Sequence, residues 1–343
     1  VYTFFGGFKL IFGEIQFGMF VTNLKIFQDV GHAFIDVYAI FASMQTMLPS
    51  MINVAQLLNL PTDVNLRKSL LRQKQMLTDS MRKAILEKSD LHKHALDELP
   101  IKLELDFFDY KSTLSISSVI HFKGKSVVSQ GHFFVVIGDK GSGKSTLLRL
   151  ISGTLLPELG ASGCIFVPAH LRLVNVPDNP LFLPGTLLDN LTLGQHKIRN
   201  NSQKGRHSNP YQGAVIDRVL GICKDFLHLD ERVLEYLKED HAHKWAEMFS
   251  FSQCKLLMIA RALIFNAELI TIHKPLNGLS PSQVQRVQYA LRQHVTQKGL
   301  LSSSEASTRR PRTLFVSSNH FRNAFMDEAD CIIELSPDGL VTN

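Results

Sequence analysis

The sequence predicts an α/β domain with buried strands, preceded by an apolar helical segment and a polar helix. Three observations carry that prediction. Short apolar runs recur at Phe133–Ile137, Leu171–Val176, Leu269–Ile272, Thr313–Val316 and Cys331–Leu335, with helical stretches between most of them. A glycine-rich segment follows the first run and opens a helix. Charge density changes abruptly near residue 61, from five charged residues in the first 60 to fourteen between Thr62 and Leu99.

Composition sets the outer bounds. The 343 residues are 45% hydrophobic and 20% charged, enough to bury a real core, which excludes disordered, collagenous and disulfide-stapled classes. The length suggests about two domains. A net charge of +6 is a mild excess that permits anionic lipid, nucleic acid or nucleotide and selects none of them. Cys164, Cys223, Cys254 and Cys331 form no CxxC pair, so neither a disulfide framework nor a cysteine metal site is expected. The chain opens at Val1 inside an apolar stretch without the pattern of a signal peptide, and reads as a fragment lacking something upstream.

Residues 1–60 form the first segment. No charged residue occurs from Val37 to Thr62, a run long enough to cross a bilayer at about 20 residues per span. Gln45, Pro49, Asn53 and Gln56 interrupt it, so hydropathy alone leaves open a membrane helix or a buried helix of a soluble fold. In a membrane, Asp29 and Asp36 would have to face a bundle interior. The cluster Arg67, Lys68, Arg72 and Lys74 then stands where a cytoplasmic flank is positive.

Residues 61–100 read as a linker helix. Leu66, Leu70, Leu77, Met81 and Ile85 recur at helical spacing over 62–98, between Pro61-Thr62 and Pro100. From 101 to 343 the texture is that of strands and helices. Ile101–Leu105 alternates like an edge strand, and Phe133–Ile137 is apolar throughout, like a fully buried one. The polar stretches Gln195–Gly213 and Gln297–Arg312 are expected as surface loops.

The glycine-rich segment is Gly138-Asp139-Lys140-Gly141-Ser142-Gly143-Lys144-Ser145-Thr146, a G-x-x-x-x-G-K-[ST] motif between a strand and a helix. Glycines let successive backbone N–H groups turn inward on phosphate oxygens, and the helix N-terminus adds a favourable dipole. Lys144 would reach the β- and γ-phosphates of ATP, and the Ser145 hydroxyl would bind Mg²⁺. A P-loop NTPase is therefore the expected fold.

The surrounding residues resemble the ATP-binding domain of ABC transporters over 101–343. Gly141–Gly153 is similar to that family's phosphate loop, or Walker A motif, and its helix. Tyr110, in Phe108-Asp109-Tyr110, stands where the family keeps an aromatic that stacks on adenine. Val176–Phe182 and Gly185–Leu191 resemble the Q-loop region, Ile259–Leu263 the helix after the signature motif, and Asn319-His320 the switch histidine. Gly6-Gly7, Gly13-Glu14 and Gly18–Val21 resemble more weakly the end of an exporter-type membrane domain. The resemblance implies about two membrane helices in 1–60, residues from about 61 onward in the cytoplasm, and a half-transporter that pairs with itself or with a second ABC half-transporter.

Departures from the family pattern are concentrated at the catalytic positions. Where the Walker B strand should end in Asp and then Glu, His273 and Lys274 follow Ile270-Thr271-Ile272. A protonated lysine is no base, and its charge would sit beside the metal. The signature L-S-G-G-Q appears as Phe249-Ser250-Phe251-Ser252-Gln253, keeping Ser250 and Gln253 but adding side chains at both glycines. Asp178 replaces the Q-loop glutamine and is a candidate for a metal-held water, and Ser280 replaces the D-loop aspartate. His320 is retained without the carboxylate it would assist.

The resemblance thus implies an ATP-binding transporter subunit that grips ATP and hydrolyses it weakly. Alternatives are a soluble ABC-type ATPase of DNA repair or translation, and a scaffold pseudo-ATPase. Basic residues scattered without aromatic interleaving argue against a nucleic-acid partner. The transported substrate is not legible.

Overall fold

The computed structural model describes residues 2–60, 62–88, 99–104, 108–111, 119–122, 124–156, 164–193, 210–302, 305, 309–318, 325, 327–336 and 339–342. The chain divides into two compact units, 1–66 and 67–343.

In the first unit, α1 (Tyr2–Ile11) and α2 (Phe17–Leu58) are joined by a turn in which Gly13 adopts a φ of 74°. Tyr2 stacks on Phe20 and packs at a tilt against Phe27, with ring centroids 5.9 and 4.8 Å away. A Cβ on Gly6 would lie 2.8 Å from the Phe20 ring, so glycine sets how closely the helices approach. Among the described residues no helix is long and apolar enough to cross a membrane. At about 1.5 Å per residue the ten residues of α1 fall short of a bilayer. The 42 residues of α2 have the length, but Gln28, Asp29, His32, Asp36, Gln45 and Asn53 dilute its apolar content. Neither helix meets the expectation of two membrane spans.

In the second unit, nearly all of α3 (Val64–Lys88) precedes three sheets. Thr78 is buried in α3, and its Oγ1 donates to Lys74 O and accepts from Ala169 N. A small antiparallel sheet has the order β4 (Lys125–Val128), β1 (Ile101–Glu104), β6 (Cys164–Phe166). The expected edge strand is therefore central: Leu103 faces Ser126 on one side and Ile165 on the other. Strands β2 (Phe108–Lys111) and β3 (Val119–Phe122) form an antiparallel pair.

The main sheet has six strands in the order β11 (Gly339–Thr342), β10 (Cys331–Ser336), β5 (Phe133–Gly138), β9 (Thr313–Ser317), β8 (Leu269–His273), β7 (Leu173–Val176). All neighbours are parallel except β10–β11. Strand alternation assigns β5 to two cores. Phe134 and Val136 pack with Leu147, Leu148, Leu150 and Ile151 of α4 (Lys144–Ile151), and Phe134 stacks on Phe315 at 4.7 Å. Phe133, Val135 and Ile137 join the opposite core with Trp245 of α8 (Trp245–Met248) and α9 (Phe251–Phe265). Every α9 residue from Cys254 to Ile264 is buried, Lys255 and Arg261 included. At the sheet edge β7 is only half-buried, short of the expected buried strand.

The remaining α-helices among the described residues are α5 (Leu187–Thr192), α6 (Pro210–Gly221), α7 (Glu231–Glu235) and α10 (Pro281–Thr296). Two loop expectations are corrected here. Proline suits the first position of a helix, so 210–213 belong to α6, while 194–209 lie outside the described residues. In the 297–312 stretch, Leu300 and Arg312 are buried and Arg309 donates to three backbone carbonyls, so its described part is pinned to the domain.

Candidate functional site

The phosphate loop turns from the carboxyl end of β5 into α4, and its glycines hold backbone that other residues resist. Gly138, Gly141 and Gly143 have φ of 148°, 95° and 90°. A Cβ on Gly138 would lie 2.4 Å from Leu335 O and 2.8 Å from Ser142 Oγ, so that position also lacks room. Lys144 is nearly buried and donates from Nζ to the carbonyls of Gly138 (2.6 Å) and Asp139 (2.7 Å), folded back on its own loop. Burial, and next the Lys274 charge, lower its pKa, while Asp139 opposes the shift. The Gly143 N-cap supplies no side-chain cap, leaving the first N–H groups of α4 for a ligand. Ser142 Oγ is buried and has no hydrogen-bond partner among the described residues. This cradle fits a polyphosphate.

A cavity of about 210 Å³ lies over the loop. Lys140, Gly141, Gly143, Lys144, Ser145 and Thr146 line it from the loop, and His273 and Lys274 line it from the end of β8. Ser317, paired with His273 across β8 and β9, organises that wall. Its Oγ lies 2.6 Å from His273 Nδ1 and accepts the Lys274 backbone N–H at 3.0 Å. Lys274 has a left-handed φ of 49°. Burial, then Lys274, press the His273 imidazole down to about 4, so it is neutral at pH 7. The positions expected to replace the two carboxylates therefore do line the phosphate cavity, as a neutral ring and an amine.

Asp178 does not line this cavity. Its carboxylate pairs with Lys255 Nζ at 2.5 Å, and Lys255, 1% exposed on α9, also donates to Asp178 O. Burial raises the Asp178 carboxyl, but Lys255, Asn277 and Lys274 outweigh it and hold the carboxyl below its ordinary value. A buried ammonium thus already pairs with Oδ1 of the carboxylate expected to hold a metal-bound water.

The signature segment opens α9. Ser250 is its N-cap, accepting from Gln253 N, while the Gln253 side chain accepts from Ser250 N, a capping box. Gln253 Nε2 also donates to Asp230 at 2.7 Å. Phe251 is 46% exposed, with Lys255 Nζ 5.6 Å from its ring centroid. A Cβ on Gly278 would lie 2.8 Å from that ring. Ser280 caps α10 in the same way, through Gln283.

Tyr110 lies in β2, but its side chain falls outside the described residues, as does His320 entirely. Ser317 and Lys255 were not singled out from the sequence. A lone lysine within the apolar run of α9 was the available signal for Lys255.

A divalent cation is a poorer match than the polyphosphate. Among the described residues no group of three or more His, Cys, Asp or Glu could hold a metal ion. Ser145 would face Lys274 and a neutral imidazole where carboxylates are needed. The described cysteines, Cys223, Cys254 and Cys331, are free thiols, and burial pushes Cys223 up to about 12.

Comparison with known proteins agrees with this geometry. Residues 125–277 match the family described as ABC transporter. The spermidine/putrescine import ATP-binding protein of Fusobacterium nucleatum is 31% identical over 156 residues, covering 44% of this chain and 37% of that protein. The glutamate transport ATP-binding protein of Corynebacterium efficiens is 31% identical over 173 residues, 47% of this chain and 63% of that one. The Nod factor export ATP-binding protein I of Rhizobium etli is 25% identical over 255 residues, 69% and 67% respectively. The chain thus spans about two thirds or less of these relatives. Among solved structures, the dimeric bacterial ABC transporter cassette MJ0796 superposes with a TM-score of 0.50 at 20% identity, over 71% of this chain and 97% of that one. The same cassette has been solved as a dimer bound to ADP and Pi, again at a TM-score of 0.50, with 19% identity and the same coverage. A glycine-turned phosphate loop on an interior strand of a largely parallel sheet, a capped signature helix and these relatives converge on one part of the chain: residues 125–277 match an ABC transporter nucleotide-binding domain.

Proposed function

We propose that this chain is the ATP-binding part of an ABC-type membrane transporter that binds ATP and hydrolyses it weakly or not at all at its own site. One observation carries the reading: the cavity over the phosphate loop is closed by His273 and Lys274. Lys144 and the α4 N-terminus supply what a triphosphate needs, while among the described residues the end of β8 presents an imidazole and an amine where a metal-linked and a water-polarising carboxylate would stand. Binding rather than turnover is then the event coupled to transport. The relatives' roles in import and export support transport as the context. We place the chain at a membrane, with residues from about 61 onward on the cytoplasmic side, paired with itself or with a second ABC subunit. The exposed apolar side chains of α2, Phe34, Ile35, Phe41 and Met44 among them, support companion helices around it.

Nucleotide binding and steady-state hydrolysis on the whole chain, with Lys144→Ala as control, test the reading. Saturable ATP binding without turnover above the Lys144→Ala background is expected. Brisk hydrolysis abolished by Lys144→Ala would overturn it.

A further inference from the structure

The wall facing the phosphate loop is cationic where a metal-assisted site needs it anionic. Lys140, Lys144 and Lys274 line the cavity, and among the described residues no carboxylate does. The carboxylate reaching toward this region from the end of β7, Asp178, is bound to Lys255. Lys274 is also no loosely placed surface lysine. Its backbone is held at positive φ by its N–H bond to Ser317, beside a histidine fixed by the same hydroxyl.

Like charges that share a small cavity repel, and repulsion in a half-buried space is screened less than in water. A polyanion entering the cavity relieves the repulsion, whereas a divalent cation adds to it. We propose that this site takes the nucleoside triphosphate without a divalent cation, the Lys274 ammonium standing against the terminal phosphate as a built-in counter-charge. The inference rests on the nucleotide-binding reading above and assigns Lys274 a binding role in it.

The experiment is equilibrium binding of a fluorescent ATP analogue to the whole chain, in excess Mg²⁺ and in EDTA. Affinities within about twofold of each other are expected. Lys274→Asn removes the charge with a residue that tolerates left-handed backbone, and should weaken binding in EDTA by tenfold or more. Lys274→Arg keeps the charge and should retain most of the affinity. A tenfold or greater loss of wild-type binding in EDTA would overturn the counter-charge while leaving nucleotide binding intact. So would a Lys274→Asn variant, folded by circular dichroism, that binds as tightly as wild type without metal. Binding in neither buffer would overturn the nucleotide reading itself and this inference with it.

Discussion

Lys255, buried in α9, holds the Asp178 carboxylate 2.5 Å from its ammonium, across 77 positions of sequence. The pair ties the end of β7 to the helix that begins at the signature segment. Breaking one side of a buried pair strands the other charge. With Asp178 about a quarter exposed, Asp178→Asn should cost about 2–3 kcal/mol in chemical denaturation. Asp178→Asn with Lys255→Met should recover most of that loss. A single variant as stable as the parent would show that the pair is not held in solution.

The same pair predicts an acid limb. The folded Asp178 carboxyl titrates below its unfolded value of about 3.9, so the stabilisation is complete above that pH and fades as pH falls through the folded value. In Asp178→Asn the stability curve should be flatter below pH 4.

His273 acts in a higher range. Its folded pKa of about 4 lies beneath the unfolded value of 6.5, so the unfolded chain binds the extra proton first. Stability should fall as pH drops from about 6.5 toward 4, and the slope should be smaller in His273→Asn. An imidazole resonance titrating near 6.5 in the folded protein would contradict this.

Gly138→Ala should damage the loop without touching any phosphate ligand. The added methyl meets the Leu335 carbonyl of β10 at 2.4 Å, and that backbone has no freedom to retreat. Nucleotide affinity should drop at least tenfold, and thermal unfolding should show a cost of about 1–3 kcal/mol.

Turnover should respond to repairs in a fixed order. Loss of a water-polarising group costs a factor of about 10²–10⁴. Restoring carboxylates by His273→Asp with Lys274→Glu should raise hydrolysis modestly. Adding Phe251→Gly and Ser252→Gly should raise it further, because the ring now resting on Gly278 is removed from the signature surface. Measured kcat falling on the second step would show that Phe251 supports the site instead.

Local chemistry made much of this legible in the sequence. Five apolar residues before a G-x-x-x-x-G-K-S segment specify strand, turn and helix with no distant information, and β5, the loop and α4 formed as expected. Contacts between distant segments were not legible. Ile101–Leu105 reads as an edge from its own alternation; only pairing with β6, some 60 residues later, makes it central. Asp178 reads as a free carboxylate until the fold brings Lys255 to it. Ser317 sits in register with His273 because two parallel strands end together, a relation that neither strand records alone. Residues 1–60 are less legible for another reason: a long stretch without charge measures length, while spanning a bilayer depends on how densely apolar the helix is, and no described helix reaches that density.

The Phe251 ring, seated over Gly278, bridges the entry to α9 and the turn before α10. Two loops that could otherwise breathe independently are wedged into one brim. Whatever body docks there meets a rim shaped in advance, so less disorder has to be quenched on contact. The same wedge makes the two loops move together or not at all.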